Sequence, residues 1–333
     1  MQRKKHALVM AASIKLSLFT CLAALLAALA AACTPFEDSP APSVSCIVRL
    51  STKAGVVPKG ISHIDAFVFN DDSKRLLDSY TRLGTPEGDS IEVSSTSGRK
   101  IIVLVANADS SLFTYGSTNS YANFCKICQD FSRENPRHPV LSGECTVQVT
   151  GPGVNHDICL SPLLARIKVK LFSVDFSSRP YSGKDLTDIR AYLININSGC
   201  TLLPLEEERT LGVMNHGKLV PSDVSSLDHP EMVVCEDAPT EAVFYCFPGI
   251  RREGELGQCA TRLVVEGKVG NSVWYYPVNI GEDGVRRGVQ YNVYITITRL
   301  GTTDPDIEAK VETISVDTGN IAWNEYDEED IHY

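Results

Sequence analysis

Apolar residues in this chain fall in short runs, many with a period of two. Ala165, Ile167, Val169 and Leu171 alternate with Arg166, Lys168 and Lys170, the pattern of a strand with one buried face. Within Tyr291–Leu300, Val293, Ile295 and Ile297 alternate with Tyr294, Thr296 and Thr298. Arg99–Ala106 differs: it carries a continuous apolar run, as expected of a central strand buried on both faces. Cys46–Ser51, Ile64–Asn70, Ser90–Ser94, Cys145–Val149 and Asp157–Leu160 complete a first cycle of strands. Asp188–Ile196, Ala242–Phe247, Thr261–Gly267, Val273–Ile280 and Ala309–Val316 make up most of a second. Thr261–Gly267 and Val273–Ile280 read as a hairpin about Val269-Gly270-Asn271. Helical periodicity is scarce, with one short helix expected at Tyr121–Phe131 and a loop-rich stretch at Leu202–Val234. Many short strands punctuated by turns such as Asn70-Asp71-Asp72-Ser73 predict an all-β chain of two β-sandwich domains, 46–163 and 164–333.

The first residues follow a different logic. Arg3, Lys4 and Lys5 form a cationic head, Leu16–Ala32 is apolar, and Leu29-Ala30-Ala31-Ala32-Cys33 ends in small residues before a cysteine. These are the three parts of a secretory signal, here 1–32. Cys33 is then the first residue of the exported chain and the expected site of a covalent lipid. Each buried CH₂ of an acyl chain contributes roughly 0.8 kcal/mol, so several chains hold a domain on a membrane. An uncleaved anchor is the alternative, but Leu16–Ala32 is shorter than the roughly 20 apolar residues a span needs. An ordinary signal with an incidental cysteine is another. Residues 33–45, rich in Pro and Ser, read as an extended tether.

Removing the signal changes the charge. The whole chain of 333 residues carries −10, and the signal holds Arg3, Lys4, Lys5 and Lys15 with no acid, so the exported part carries −10 − 4 = −14. That excludes nucleic acid as an expected partner and suits a soluble exported surface. Of eleven cysteines, Cys21 lies in the signal and Cys33 is the lipid site, which leaves nine with no repeating framework. One or two bridges are expected among them, with no pairing assigned; the rest behave as small buried hydrophobes.

Candidate chemistry is sparse. The chain contains no His-Glu-x-x-His, no Gly-x-Ser-x-Gly, no phosphate loop and no dinucleotide loop. Cys125-Lys126-Ile127-Cys128 has a redox or half-zinc spacing but lacks the βαβ context and the second pair those functions need. His156 and His216 read as solvated loop residues. Asp304, Asp306 and Glu308 suit either a hard cation or a turn about Pro305, and the turn is preferred. No enzyme activity, no metal, no small-molecule substrate and no cofactor beyond the lipid on Cys33 are expected.

Several stretches together resemble one family. Cys33 is followed by Cys46, which opens the first strand. Ile64–Asn70 resembles an aromatic-rich strand ending in an Asp/Asn turn. Ile101–Asn107 resembles an apolar strand closing on Ala-Asn, and Leu164–Val169 a Leu-x-Arg-Ile-x-Val segment. Thr261–Ile280 with Arg287-Gly288-Val289-Gln290-Tyr291-Asn292-Val293-Tyr294 resembles a terminal hairpin and an Arg-Asn-x-x-Tyr strand, with Gly288 in place of Asn. Gly301–Asp306 resembles the loop that follows. The family is that of the fimbrillin-associated anchor proteins of Bacteroidales-type (type V) fimbriae, within the fimbrillin superfamily. Glu37 and Asp38, just after the lipid site, resemble surface-export signals of lipoproteins in such bacteria.

The resemblance implies two transthyretin-like β-sandwiches and a role in fimbrial assembly by strand donation. Stalk subunits of the family lose their first strand to an arginine-specific protease and accept a neighbour's C-terminal strand in the groove. An anchor keeps its first strand and its lipid, ending the polymer at the outer membrane. Mapped onto this chain, Cys46, Ile47, Val48, Arg49 and Leu50 form the retained strand, and Val311, Ile314, Val316, Ile321 and Trp323 the donor segment. Arg49 lies inside the strand, which disfavours cleavage there. The expected partners are a stalk fimbrillin and the outer membrane. The alternatives are a lipoprotein adhesin or glycan binder on the same fold, a protease-processed stalk or tip subunit, and, for the last strand, an ordinary strand with an acidic tail.

Overall fold

Two sheets close the first half of the chain around an aliphatic interior. The computed structural model describes residues 43–51, 60–178, 180–204, 211–250, 260–281, 284–307 and 314–320. β1 (Ser43–Ser51), β2 (Ile64–Asn70), β3 (Leu77–Leu83), β4 (Ser90–Thr96) and β5 (Gly98–Ala106) come first. After α1 (Tyr115–Thr118) and α2 (Tyr121–Phe124) follow β6 (Cys128–Asp130), β7 (Leu141–Val149), β8 (Val154–Cys159) and β9 (Ser161–Pro162). One sheet has the order β4-β1-β8, the other β3-β2-β5-β7-β9. Val48, Ile91, Val93 and Ile158 of the first pack with Ile64, Ala66, Val68, Ile102, Leu104 and Val147 of the second.

The apolar run of β5 is explained by its other face. Ile101, Val103 and Val105 join Phe67, Phe69, Phe124 and Phe131 in a second core. Phe67 alone meets Phe69, Tyr80, Phe113 and Phe124, with ring centroids 4.8 to 6.5 Å away. β5 is thus buried on both sides, as its composition predicts. The strand stops at Asn107, whose backbone has φ +62° and whose side-chain amide donates to the carbonyls of Gly60 and Pro139.

The same core runs on into the second half. There β10 (Ala165–Val174), β11 (Thr187–Ile194), β12 (Ile196–Asn197), β13 (Gly199–Thr201), β14 (Val213–Met214), β15 (Val234–Cys235), β16 (Val243–Cys246) and β17 (Gly249–Ile250) precede β18 (Arg262–Val269) and β19 (Ser272–Asn279). β20 (Gly284–Val285), β21 (Val289–Ile297) and β22 (Ile314–Asn320) close the series. The two large sheets are β16-β10-β21-β22 and β15-β11-β18-β19. Ile167, Val169, Val293 and Ile295 meet Leu193, Leu263, Val265 and Val278 between them. β18 and β19 form the expected hairpin, with Val269 opposite Ser272 and Gly270 at φ +63°, as a two-residue primed turn requires.

A short ladder helps the shared core tie the halves, and one buried side chain braces the second half from within. β6 pairs with β13. Arg287, buried, donates to the carbonyls of Leu202 (3.0 Å) and Thr201 (2.9 Å) and lies 3.2 Å from Cys200 Sγ.

Five expectations change. β3 was not anticipated: it is an edge strand with mixed, half-exposed residues. The helix expected at Tyr121–Phe131 stops at Phe124, because Cys128–Asp130 is recruited into the ladder with β13. The last strand runs on past the expected end at Val316 to Asn320, because pairing with β21 continues there, while residues 309–313 of the expected strand lie outside the described residues. His156 lies on β8 rather than in a loop. No disulfide joins Cys125, Cys128, Cys145, Cys159, Cys200, Cys235 and Cys246 to one another.

Candidate functional site

The strands that the resemblance singled out occupy unlike positions. β1 is the middle strand of its sheet: antiparallel to β4, with Cys46 opposite Val93 and Arg49 opposite Ser90, and parallel to β8, with Arg49 beside Asp157. Both backbone edges of β1 are therefore hydrogen-bonded. Val48 is fully buried in the aliphatic interior, and Arg49 is exposed. Taking β1 away would open a slot between β4 and β8, floored by Ile91, Val93 and Ile158, with unpaired amides and carbonyls on both walls.

β22 is an edge. It runs antiparallel to β21, with Ile314 opposite Ile295 and Val316 opposite Val293, and no second ladder forms on it among the described residues. Detaching β22 breaks one ladder, whereas detaching β1 breaks two. The pair is thus unequal in the way a retained strand and a releasable strand would be.

Of the expected site residues, Cys46, Ile47, Val48, Arg49 and Leu50 all sit on β1, the side chains of Cys46, Ile47 and Leu50 lying outside the described residues. Ile314 and Val316 sit on β22, again by backbone position. Cys33, Val311, Ile321 and Trp323 lie outside the described residues.

The candidate chemistry resolves as packing. Burial pushes the Cys125 and Cys128 thiols above their ordinary value, the opposite of what a reactive thiolate needs. Asp304 Oδ1 accepts the Asp306 amide at 2.9 Å, which makes the loop a turn. Asp306 is held by Arg262 Nη1 at 3.0 Å, and Glu308 lies outside the described residues. No group of three His, Cys, Asp or Glu fit to hold a metal occurs among the described residues.

Sequence reasoning missed two buried polar groups that the fold assembles. Glu134 is 1% exposed; its Oε1 accepts the Val140 amide at 2.8 Å, and its Oε2 has no hydrogen-bond partner. Burial lifts its carboxyl to about 7, against the hydrogen bonds from Val140 and Gln129. Lys100, also 1% exposed, reaches Asn70, Thr96 and Asp78. Lys100 heads an apolar run, which was an available signal, whereas Glu134 stands among polar residues in the sequence and gave none.

No family model matches the chain, and no curated protein matches it by sequence. Solved structures do. A cell-adhesion protein from Bacteroides eggerthii is similar with a TM-score of 0.63 at 15% identity, over 85% of this chain and 97% of that one. A fimbrilin (fimA) from Porphyromonas gingivalis is similar with a TM-score of 0.62 at 13% identity, over 83% and 96%. The tip fimbrial protein Mfa3 of the same organism, truncated at its C-terminus, gives 0.54 at 13% identity, over 84% and 99%. This chain shares their fold. The likeness covers most of this chain and nearly the whole of each of those proteins.

Proposed function

We propose that this chain is a non-enzymatic outer-membrane lipoprotein that ends a type V fimbria and holds it on the cell surface. In this reading, residues 1–32 are removed, Cys33 carries the lipid, 33–45 is the tether, and 46–163 and 164–333 are two sandwich domains. The observation that carries it is the seating of β1 with both edges paired and Arg49 in mid-ladder. A protease must bind its substrate as a free extended segment, and this one is locked in a sheet. The chain then keeps its first strand, accepts no donor, and offers its own C-terminal strand, β22 with the residues after it, to the groove of a stalk fimbrillin. Its partners are that subunit and the outer membrane, not nucleic acid or a small-molecule substrate.

The test is truncation. A chain ending at residue 307, expressed in its own cells in place of the full one, is expected to stay in the membrane fraction while fimbriae are shed into the medium. Fimbriae still held on the cell by the truncated chain would overturn the donor role.

A second reading, a lipoprotein adhesin, draws on one feature. Tyr115 (85% exposed) and Leu76 (48%) stand beside a cleft of about 400 Å³ that also includes Leu77, Asn119, Ser120 and Asn123. Binding of cells or glycans that Tyr115→Ala abolishes, with fimbriae unaffected, would favour it.

A further inference from the structure

We propose that Lys100 and Asn70 become joined by an amide bond inside the folded chain, with Asp78 moving the protons. The inference stands on four strands converging at one end of the first sandwich. Asn70 ends β2 and lies directly opposite Lys100 on β5. Both fall on the inner face: Ile64, Ala66, Val68 and Asn70 alternate along β2, as Lys100, Ile102, Leu104 and Ala106 do along β5, and the apolar members of both sets lie in the aliphatic interior. Asp78 comes from β3. The ladder of β2 with β3 slips between Val68 and Phe69, where Val68 faces Ser79 and Phe69 faces Leu77, so Asp78 is the extra residue of a β-bulge. A bulge re-aims a side chain, and here Asp78 reaches the Lys100 ammonium at 3.1 Å. Thr96, at the end of β4, supplies the fourth wall.

The ammonium is out of water. Lys100 Nζ lies 2.5 Å from Asn70 Oδ1 and 2.5 Å from Thr96 Oγ1, below the roughly 2.7–3.2 Å of ordinary N–H···O bonds. With a C=O bond of about 1.23 Å, the Asn70 carbonyl carbon is at most about 3.7 Å from that nitrogen, close to the 3–3.5 Å separation of reactants held for attack. The Asp78 carboxylate is fixed in turn: it accepts Thr96 N at 2.8 Å, Thr96 Oγ1 at 2.6 Å and Ser95 Oγ at 3.2 Å. A lysine is rarely this buried, and a buried ion pair offers little stability for its desolvation cost. The same groups, placed around an amide, make an acyl-transfer site.

The step balances without a co-reactant. Asp78 takes one proton from the Lys100 ammonium, and the neutral Nζ adds to the Asn70 carbonyl carbon. Nζ then loses a second proton, the bond from that carbon to the side-chain amide nitrogen breaks, and the nitrogen departs with both protons as ammonium. Lys100 and Asn70 remain as a secondary amide, and Asp78 is again a carboxylate. Nothing is oxidised or reduced. The product removes the buried cation and leaves an N–H directed at Asp78. It also staples two neighbouring strands of the central sheet.

The experiment is mass spectrometry of the full chain isolated from its cells. The expected chain is lighter than its processed sequence by one ammonia, and trypsin yields residues 60–74 covalently joined to residues 100–126 with no cleavage after Lys100. Two separate peptides, with cleavage after Lys100, would overturn the proposal. Asn70→Ser is expected to have the mass of its own sequence; loss of ammonia in that variant would place the reaction elsewhere and also overturn it. Asp78→Asn is expected to remain unlinked, and a linked Asp78→Asn chain would remove Asp78 from the chemistry. If Asp78→Asn does not fold, Asp78→Glu serves instead: slower linking than wild type supports the role of Asp78, and an unchanged rate refutes it.

Discussion

Glu134 makes stability depend on pH in an unusual direction. Its carboxyl is buried beside the 3₁₀ turn at Phe131–Arg133, with one oxygen on the Val140 amide and the other unpartnered. Burial raises its pKa from 4.5 to about 7. The folded chain thus holds this proton more tightly than the unfolded one, which loses it near 4.5. Between those values the folded state binds more protons, so stability falls as pH rises. At about 1.4 kcal/mol for each tenfold change, the full effect is on the order of 3 kcal/mol, absent below pH 4.5 and complete above about 7. Glu134→Gln removes the charge and keeps an oxygen for Val140. Urea unfolding at pH 4.5, 6 and 8 checks this: the variant gains on wild type by about 3 kcal/mol across the window, whatever its offset at pH 4.5. Taking the difference cancels the ordinary carboxylates, including Asp78, which burial would raise but whose bonds from Thr96 and Lys100 hold it below its usual value. Parallel curves for the two chains would refute the argument.

Other perturbations follow from packing. Phe67→Ala empties a site ringed by four aromatic neighbours and is expected to cost about 4 kcal/mol in chemical denaturation. Gly143→Ala places a Cβ against the backbone carbonyl of Cys159, at the approach of β7 to β8, and is expected to cost about 2 kcal/mol by the same assay. Arg287→Leu leaves the buried carbonyls of Thr201 and Leu202 without its donors; a loss of about 3 kcal/mol is expected in thermal or urea unfolding, with the fold retained by circular dichroism.

Strand content was legible wherever burial and periodicity agree. β5, β10, β21 and the β18–β19 hairpin all fall where alternation or an apolar run places them. What was not legible depends on pairing partners rather than on a segment's own pattern. β3 reads Leu-Asp-Ser-Tyr-Thr-Arg-Leu, weak in any periodic test, and is a strand because β2 pairs with it. Its bulge, which aims Asp78 inward, has no local signature at all. Cys128–Asp130 looked helical in company with Tyr121, but the ladder with Gly199–Thr201 outweighs a helical propensity of tenths of a kcal/mol per residue. β22 ends in Asp317-Thr318-Gly319-Asn320, of which Asp317, Gly319 and Asn320 are poor strand formers, placed by register with Val289–Asn292. The candidate site was half legible: Cys46–Leu50 was recognised as a strand, but not that it would be central. Lys100 passed as the polar lead-in to an apolar run and Asn70 as a turn residue, until the register set them face to face.

The central claim is that β1 stays in the chain and the chain stays on the membrane. The most direct measurement is the mature N-terminus, by mass spectrometry of the protein extracted with fimbriae from its own cells. The expected result is a lipid-modified Cys33 with residues 43–51 intact, in chains far fewer than the stalk subunit. A new N-terminus after Arg49 or a later arginine would contradict it and make this chain a polymerising subunit.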